Sequence, residues 1–201
     1  MSERLFAWCY ALVDGAQRRQ TAALRRALLD GVAGAVIEVG CGPGANFAHY
    51  PPGVCVIATD RNPHMLARAR REAARARATI EVRPADAGAL PAADGACDVY
   101  VATLVLCSVP DLDAAVAEAW RVLRPGGAAL LLEHVRSTAP RIARLQGRLN
   151  PLWSALADGC QLDRDPAAAL RARGFAVSTV AESRRVGGLL PIVALRARKP
   201  A

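Results

Sequence analysis

Lysine is nearly missing. Lys199 is the only one in 201 residues, so arginine carries almost all the positive charge of a chain with net charge +8. Aromatic residues are scarce too, at 4%. Binders of single-stranded nucleic acid interleave aromatics with basic residues so that bases can stack. The densest basic run here, Arg68 to Arg77, contains no aromatic. Leu66, Ala69, Ala73 and Ala76 recur through it at steps of three, four and three, which is one face of a helix. The arginines therefore read as its solvated faces, and no nucleic-acid partner is expected. None of the six cysteines (Cys9, Cys41, Cys55, Cys97, Cys107 and Cys160) forms a C-x-x-C pair. The common zinc and thioredoxin-type spacings are thus missing, and no metal is expected. Cys55 and Cys97 lie in or beside apolar stretches and read as small core residues. The cysteine usage suits a reducing compartment, most simply the cytoplasm. No apolar run approaches the ~20 residues of a membrane span, no secretion leader is recognisable, and repeats are absent.

What is present describes a folded chain. Hydrophobic residues make up 53% and charged residues 22%, which excludes disorder. At this length roughly 70% of the unfolded surface can be buried without a disulfide or metal. The first thirty residues read as helix. Ala35–Val39 and Val54–Thr59 read as buried strands. Pro63 after Asn62 opens a helix over 63–77. Strands are expected at 79–83, 98–102 and 128–134, with a helix over 111–123 before the last of these. Helices over 141–157 and about 165–173 precede closing strands at 175–181 and 192–196. Such alternation predicts an α/β fold, a mostly parallel sheet with helices on both faces. No linker divides the chain. It reads as a single domain with an N-terminal helical lid (1–33), a ligand-binding core (34–134) and a substrate-side segment (135–201).

Glu38-Val-Gly-Cys-Gly-Pro-Gly44 follows the first strand. Glycines at 40, 42 and 44 allow a sharp turn and close approach to a ligand. Open α/β sheets bind ligands at the carboxyl ends of their strands. The loop also satisfies a relaxed dinucleotide fingerprint, so alone it is a weak signal. Pro43 removes one backbone donor, which suits a ligand without a pyrophosphate. Asp60 ends the second strand, where a carboxylate can accept from both ribose hydroxyls. Asp86 follows the third, where a carboxylate can accept from an adenine amino group. Either acid alone is equally well explained as a helix or turn cap. At successive strand ends the three together describe an adenosine site with no need of phosphate, and S-adenosylmethionine is such a ligand.

These residues, with Met65-Leu66, Leu90-Pro91, Asp98-Val99, Leu104 and Glu118-Ala-Trp-Arg-Val-Leu-Arg-Pro-Gly-Gly127, resemble class I S-adenosylmethionine-dependent methyltransferases over residues 35–135. The resemblance implies a Rossmann-like seven-stranded sheet whose last strand is antiparallel. A narrower likeness, to thiol S-methyltransferases, rests on Gly40-Cys-Gly-Pro-Gly-Ala-Asn-Phe47, Tyr50-Pro-Pro-Gly53, Thr103-Leu-Val-Leu-Cys-Ser-Val109, Glu133-His-Val135, Pro151-Leu-Trp153 and Asp158-Gly-Cys160. The mammalian members begin with a hydrophobic anchor that has no counterpart here, and they carry a histidine where this chain has Leu190-Pro-Ile-Val193. The resemblance implies that Gly40, Cys41 and Gly42 line the methionine part of the cofactor, with Glu38 in the same set. It implies that Asp60 holds the ribose, Arg61 and Met65 flank the adenine, and Asp86 with Ala87 reads its edge. Thr103 and Leu104 form the floor near the sulfonium, and Tyr10 covers the site.

Methyl transfer from a sulfonium is an in-line displacement that needs a nucleophile ~3 Å behind the methyl carbon. With a thiolate, opposite charges vanish in the transition state, so a dry apolar pocket helps. The lid candidates Leu5, Phe6, Trp8, Tyr10, Leu152 and Trp153 suit that. His134 is the candidate base and Asp158 the second catalytic candidate. Cys107 and Cys160 are expected to line the pocket with no adjacent base, and His49 and His64 to lie on the surface. The expected acceptor is a small thiol. The alternative is nitrogen or oxygen of a lipid headgroup, quinone or phenol. Peripheral lipid contact and oligomeric state stay open.

Overall fold

A computed structural model describes residues 3–185 and 189–201, apart from the side chains of 3, 5, 6, 184 and 185. Seven strands, β1 (Ala35–Val39), β2 (Cys55–Asp60), β3 (Thr79–Pro84), β4 (Cys97–Thr103), β5 (Leu123–His134), β6 (Ala176–Arg185) and β7 (Leu190–Arg198), form one sheet. Their order is β3-β2-β1-β4-β5-β7-β6. The first five pair in parallel, and β7 runs antiparallel to both β5 and β6. Strand order reverses between β1 and β4, since β1 is flanked by β2 on one side and β4 on the other, and that is where an open α/β sheet offers a crevice.

Alternation of side chains across the strands makes two cores. On one face Val36, Val56, Ala58, Val101, Leu130 and Leu132 pack with Leu28 and Leu29 of α1 (Glu3–Leu29) and Ala69 of α2 (Pro63–Ala73). On the other, Ile37, Val39, Tyr100, Ala102 and Leu131 pack with α3 (Leu112–Val122) and α5 (Pro166–Arg173). The continuous apolar strands of the sequence follow from this burial on both faces. α4 (Pro140–Leu156) follows β5. Among the described residues no helix is long and apolar enough to cross a membrane.

Three expectations need correction. The helix from Pro63 stops at Ala73, because the chain then tightens into three-residue turns (Arg75 N to Glu72 O, Ala76 N to Ala73 O) to reach β3. β5 starts at Leu123, since Leu123 already pairs with Cys97 ahead of a bulge, and the Pro-Gly-Gly run continues the strand. Cys55 is exposed at the start of β2, whereas Cys97 is buried as expected.

Candidate active site

Register aligns the site residues. Arg83, Thr59, Val39, Ala102 and Leu131 form one row across β3, β2, β1, β4 and β5. One residue further along lie Asp60, Gly40 and Thr103. Asp86 and His134 lie three residues past the row.

Gly40 and Gly42 have φ of +58° and +54°, a left-handed conformation that L side chains resist. A Cβ on Gly40 would lie 2.4 Å from Val105 Cγ2, so this glycine is packed. A Cβ on Gly42 would meet nothing within 4 Å. The loop thus presents bare backbone to open space beside Asp60. The Asp60 carboxylate accepts from Gly42 N (2.9 Å) and Asn62 N (2.8 Å). Burial raises its pKa, against the pull of those same two bonds. Asp86 is exposed, with Oδ1 accepting from Gly88 N at 2.9 Å. A bare glycine turn and two carboxylates at neighbouring strand ends fit an adenosyl ligand with a cationic tail.

The other expected cofactor residues divide. Arg61 is exposed, Ala87 half-buried, and Met65 buried against the core. Cys41 is buried, and burial pushes its thiol well above the ordinary range. Glu38 is engaged below the loop. Its two oxygens accept from Asn46 Nδ2 (3.0 Å) and Tyr50 Oη (2.7 Å), and burial lifts its pKa to about 7. Thr103 Oγ1 is bonded to Asn46 Nδ2 (3.1 Å) and Arg25 Nη1 (3.0 Å). Leu104 takes φ +60° and turns the chain out of β4. Tyr10 donates to Gln17 along α1, and Arg18 of the same helix donates to Pro43 O (3.1 Å), so α1 lies over the loop. The side chains of Leu5 and Phe6 lie outside the described residues. Trp8 and Leu152 are exposed and Trp153 is half-buried. His64 is exposed, but His49 is half-buried, and burial lowers its pKa.

At the β4–β5 side, Glu133 is fully buried. Its carboxylate accepts from the backbone N–H of Val105 (3.1 Å), Leu106 (3.0 Å) and Cys107 (3.1 Å). These bonds pull its pKa down, but burial prevails and holds it at about 7. Gln161 N donates to Cys107 O at 2.7 Å. Asp158 sits at φ +49° in the turn that ends α4 and delivers Cys160. Cys160 Sγ lies 3.7 Å from His134 Nδ1. A base therefore does stand beside a cysteine, contrary to expectation. Partners 26 residues apart in sequence leave no local spacing to read. The two thiols share a hydrogen bond that lowers the pKa of Cys160, aided by His134 and Trp153, and that with burial raises the pKa of Cys107.

Sequence reasoning assigned no role to Arg25, Asn46 or Glu133. Glu133, a lone acid in an apolar strand, was the one with a visible signal.

The two carboxyls held near 7 set a pH dependence. Unfolded, each takes its ordinary value of 4.5. The folded chain therefore binds more protons than the unfolded one between those values, and stability falls as pH rises through that window. The penalty is absent below the ordinary value and complete above about 7. Asp98 and Glu118, whose pKa values are lowered by a backbone N–H and by Arg121 respectively, act on the acid side instead. We expect the unfolding free energy to fall by several kcal/mol from about pH 5 to about pH 8, read as a drop in melting temperature. The paired substitution Glu38→Gln and Glu133→Gln should flatten the profile. A flat wild-type profile would refute this.

Residues 37–131 match the model of a methyltransferase domain family. The chain is 41% identical over 144 residues to human thiol S-methyltransferase TMT1A, covering 70% of this chain but 59% of that protein. It is 33% identical over 155 residues to a phosphatidylethanolamine N-methyltransferase of Cereibacter sphaeroides, covering 76% of this chain and 71% of that one. Its fold is similar to the crystal structure of YcgJ from Bacillus subtilis, with TM-score 0.74, 17% identity, and coverage of 91% and 99%. With its sheet order, its glycine turn and the carboxylates at its strand ends, the chain belongs to the class I methyltransferases, which draw their methyl group from S-adenosylmethionine.

Proposed function

We propose that the chain methylates the sulfur of a small, apolar thiol. The observation that carries this reading is the 41% identity to a thiol S-methyltransferase across 70% of the chain. The chemistry of the β4–β5 edge agrees with it: two sulfurs and an imidazole gather there, and Glu133 is occupied by backbone. When bound, S-adenosylmethionine supplies an electrophilic methyl on a cationic sulfur. Asp60 and Asp86 hold the ribose and adenine, and the Gly40–Gly42 backbone passes the methionine end. Thr103 and Leu104 floor the site, and α1 with Tyr10 excludes water. His134 receives the thiol proton. A thiol of pKa ~8.5 needs only a modest push to ionise, and Asp158 serves the turn beside it. Six free cysteines suit a reducing compartment.

The second reading is N-methylation of an ethanolamine headgroup, supported by the Cereibacter relative. Labelled S-adenosylmethionine with a panel of small thiols, phenols, amines and phosphatidylethanolamine vesicles separates the two. Label on thiols is expected. Label confined to amines or lipid would replace the first reading with the second.

A further inference from the structure

Cys107 Sγ, His134 Nδ1 and Cys160 Sγ all lie within 4.8 Å of one another. They arrive from three separate segments: the turn after β4, the end of β5 and the turn after α4. From these placements the geometry points to a three-ligand site for a zinc ion.

Zinc takes thiolate sulfur at ~2.3 Å and imidazole nitrogen at ~2.0–2.1 Å in a tetrahedron, so adjacent ligands stand roughly 3.6–3.8 Å apart. Cys160 Sγ and His134 Nδ1 stand 3.7 Å apart. The remaining pairs need only small side-chain rotations to close on a shared ion. Binding leaves both sulfurs as thiolates, any proton still on them passing to solvent. The product, Zn2+ with two thiolates and a neutral imidazole, carries no net charge. That suits two cysteines that are 1% and 6% exposed.

The scaffold is built without the ion. Glu133, next to His134 in the chain, clamps the Val105–Cys107 backbone by three bonds. Arg164 Nη1 donates to Leu106 O (2.8 Å) and Val109 O (2.6 Å), fixing the other side of that turn. Gln161 N to Cys107 O ties the two cysteine segments directly. Ligands held this way are pre-organised. The indole N–H of Trp153, near the Cys160 thiol, is buried without a hydrogen-bond partner and so is free to serve as an outer partner of a metal thiolate.

Three protein ligands leave a fourth position, as catalytic zinc sites do. On the thiol reading above, that position takes the acceptor sulfur, which loses its proton to solvent on ligation; in the metal-loaded chain His134 acts as a ligand through Nδ1 and not as the base. Metal binding itself does not depend on that reading, and its test does not use methylation.

The test is titration of the reduced, metal-free full chain with cadmium, followed by ultraviolet thiolate-to-metal charge transfer. A saturable, stoichiometric band is expected, lost in Cys107→Ser and in Cys160→Ser. His134→Ala should weaken binding by more than the roughly 10–100-fold that loss of even an outer-shell partner costs. In the wild-type chain, zinc should protect Cys107 and Cys160 from alkylation, read by peptide mass spectrometry, while Cys9 and Cys55 still react. The proposal falls if no band forms, if both serine variants keep it, or if zinc protects other cysteines and leaves these two reactive.

Discussion

An Asp60→Ala chain should fold and yet lose S-adenosylmethionine binding by at least about 100-fold, which is roughly 2.7 kcal/mol. The expected loss has two sources. The first is the ribose: two hydroxyls lose a charged acceptor, and hydrogen bonds to charged groups are worth roughly 1.5–3 kcal/mol each. The second is the glycine turn, which Asp60 holds through Gly42 N at 2.9 Å. With Gly42 at φ +54° and open space where its Cβ would stand, the turn relies on Asp60, together with Arg18 at Pro43 O, to keep its shape. Stability should suffer less, because Gly42 is half-buried beside open space, where water can reach its N–H in place of the carboxylate. Calorimetry with S-adenosylhomocysteine and a thermal melt separate the two effects. Binding within tenfold of wild type would remove Asp60 from the site. A variant that no longer folds would show that the carboxylate acts chiefly on the loop.

The glycine turn and the strand-end carboxylates were legible because their determinants are local. A glycine turn announces itself by composition, and an acid at the end of an apolar run marks a strand terminus whatever the tertiary context. The acceptor side was not legible. Cys107, His134 and Cys160 meet only because β4 and β5 are neighbours and the turn after α4 returns to their ends, and no spacing rule encodes that. The same holds for Glu38. Its place in the glycine motif suggests ligand contact, whereas both of its oxygens are bonded to Asn46 and Tyr50 beneath the loop. Strand centres were read well, since burial on both faces leaves an unbroken apolar run. The start of β5 was missed because Arg124-Pro-Gly-Gly127 reads as a turn. Leu123 pairing with Cys97 overrides that local preference.

Both carboxyls held near 7 are positioned to shape loops, one under the glycine turn and one under the β4 exit. Glu38 ties β1 to the segment that leaves it, and Glu133 ties β5 to the segment that leaves β4. Their cost above neutral pH is the cost of fixing two loops from inside the protein, where water cannot compete for the N–H and amide donors. This places the chain's least comfortable charges directly beneath its candidate chemistry. Disturbing what neutralises them should therefore have large effects.

Arg25 provides the strongest such disturbance. It is 3% exposed and projects from α1 toward the strand ends. Its Nη1 donates to Asn46 Oδ1 (2.5 Å) and Thr103 Oγ1 (3.0 Å), and its Nε to Thr21 Oγ1 (2.9 Å). Through Asn46 it reaches Glu38, whose pKa its charge helps to hold down. Arg25→Met keeps the apolar stem but strands these partners. Removing one member of a buried charged set costs roughly 3–5 kcal/mol, and we expect a loss of that size in denaturant unfolding. Hydrogen exchange should rise across residues 18–29 as the helix loses its anchor to the sheet. The deficit should also depend on pH. Without Arg25 the ionised form of Glu38 is costlier still, while its neutral form is unaffected. The variant should therefore be closer to wild type at about pH 5 than at about pH 8. A loss under about 1 kcal/mol, or one that does not change with pH, would show that Arg25 is not coupled to Glu38 and that α1 is held by Leu28 and Leu29 alone.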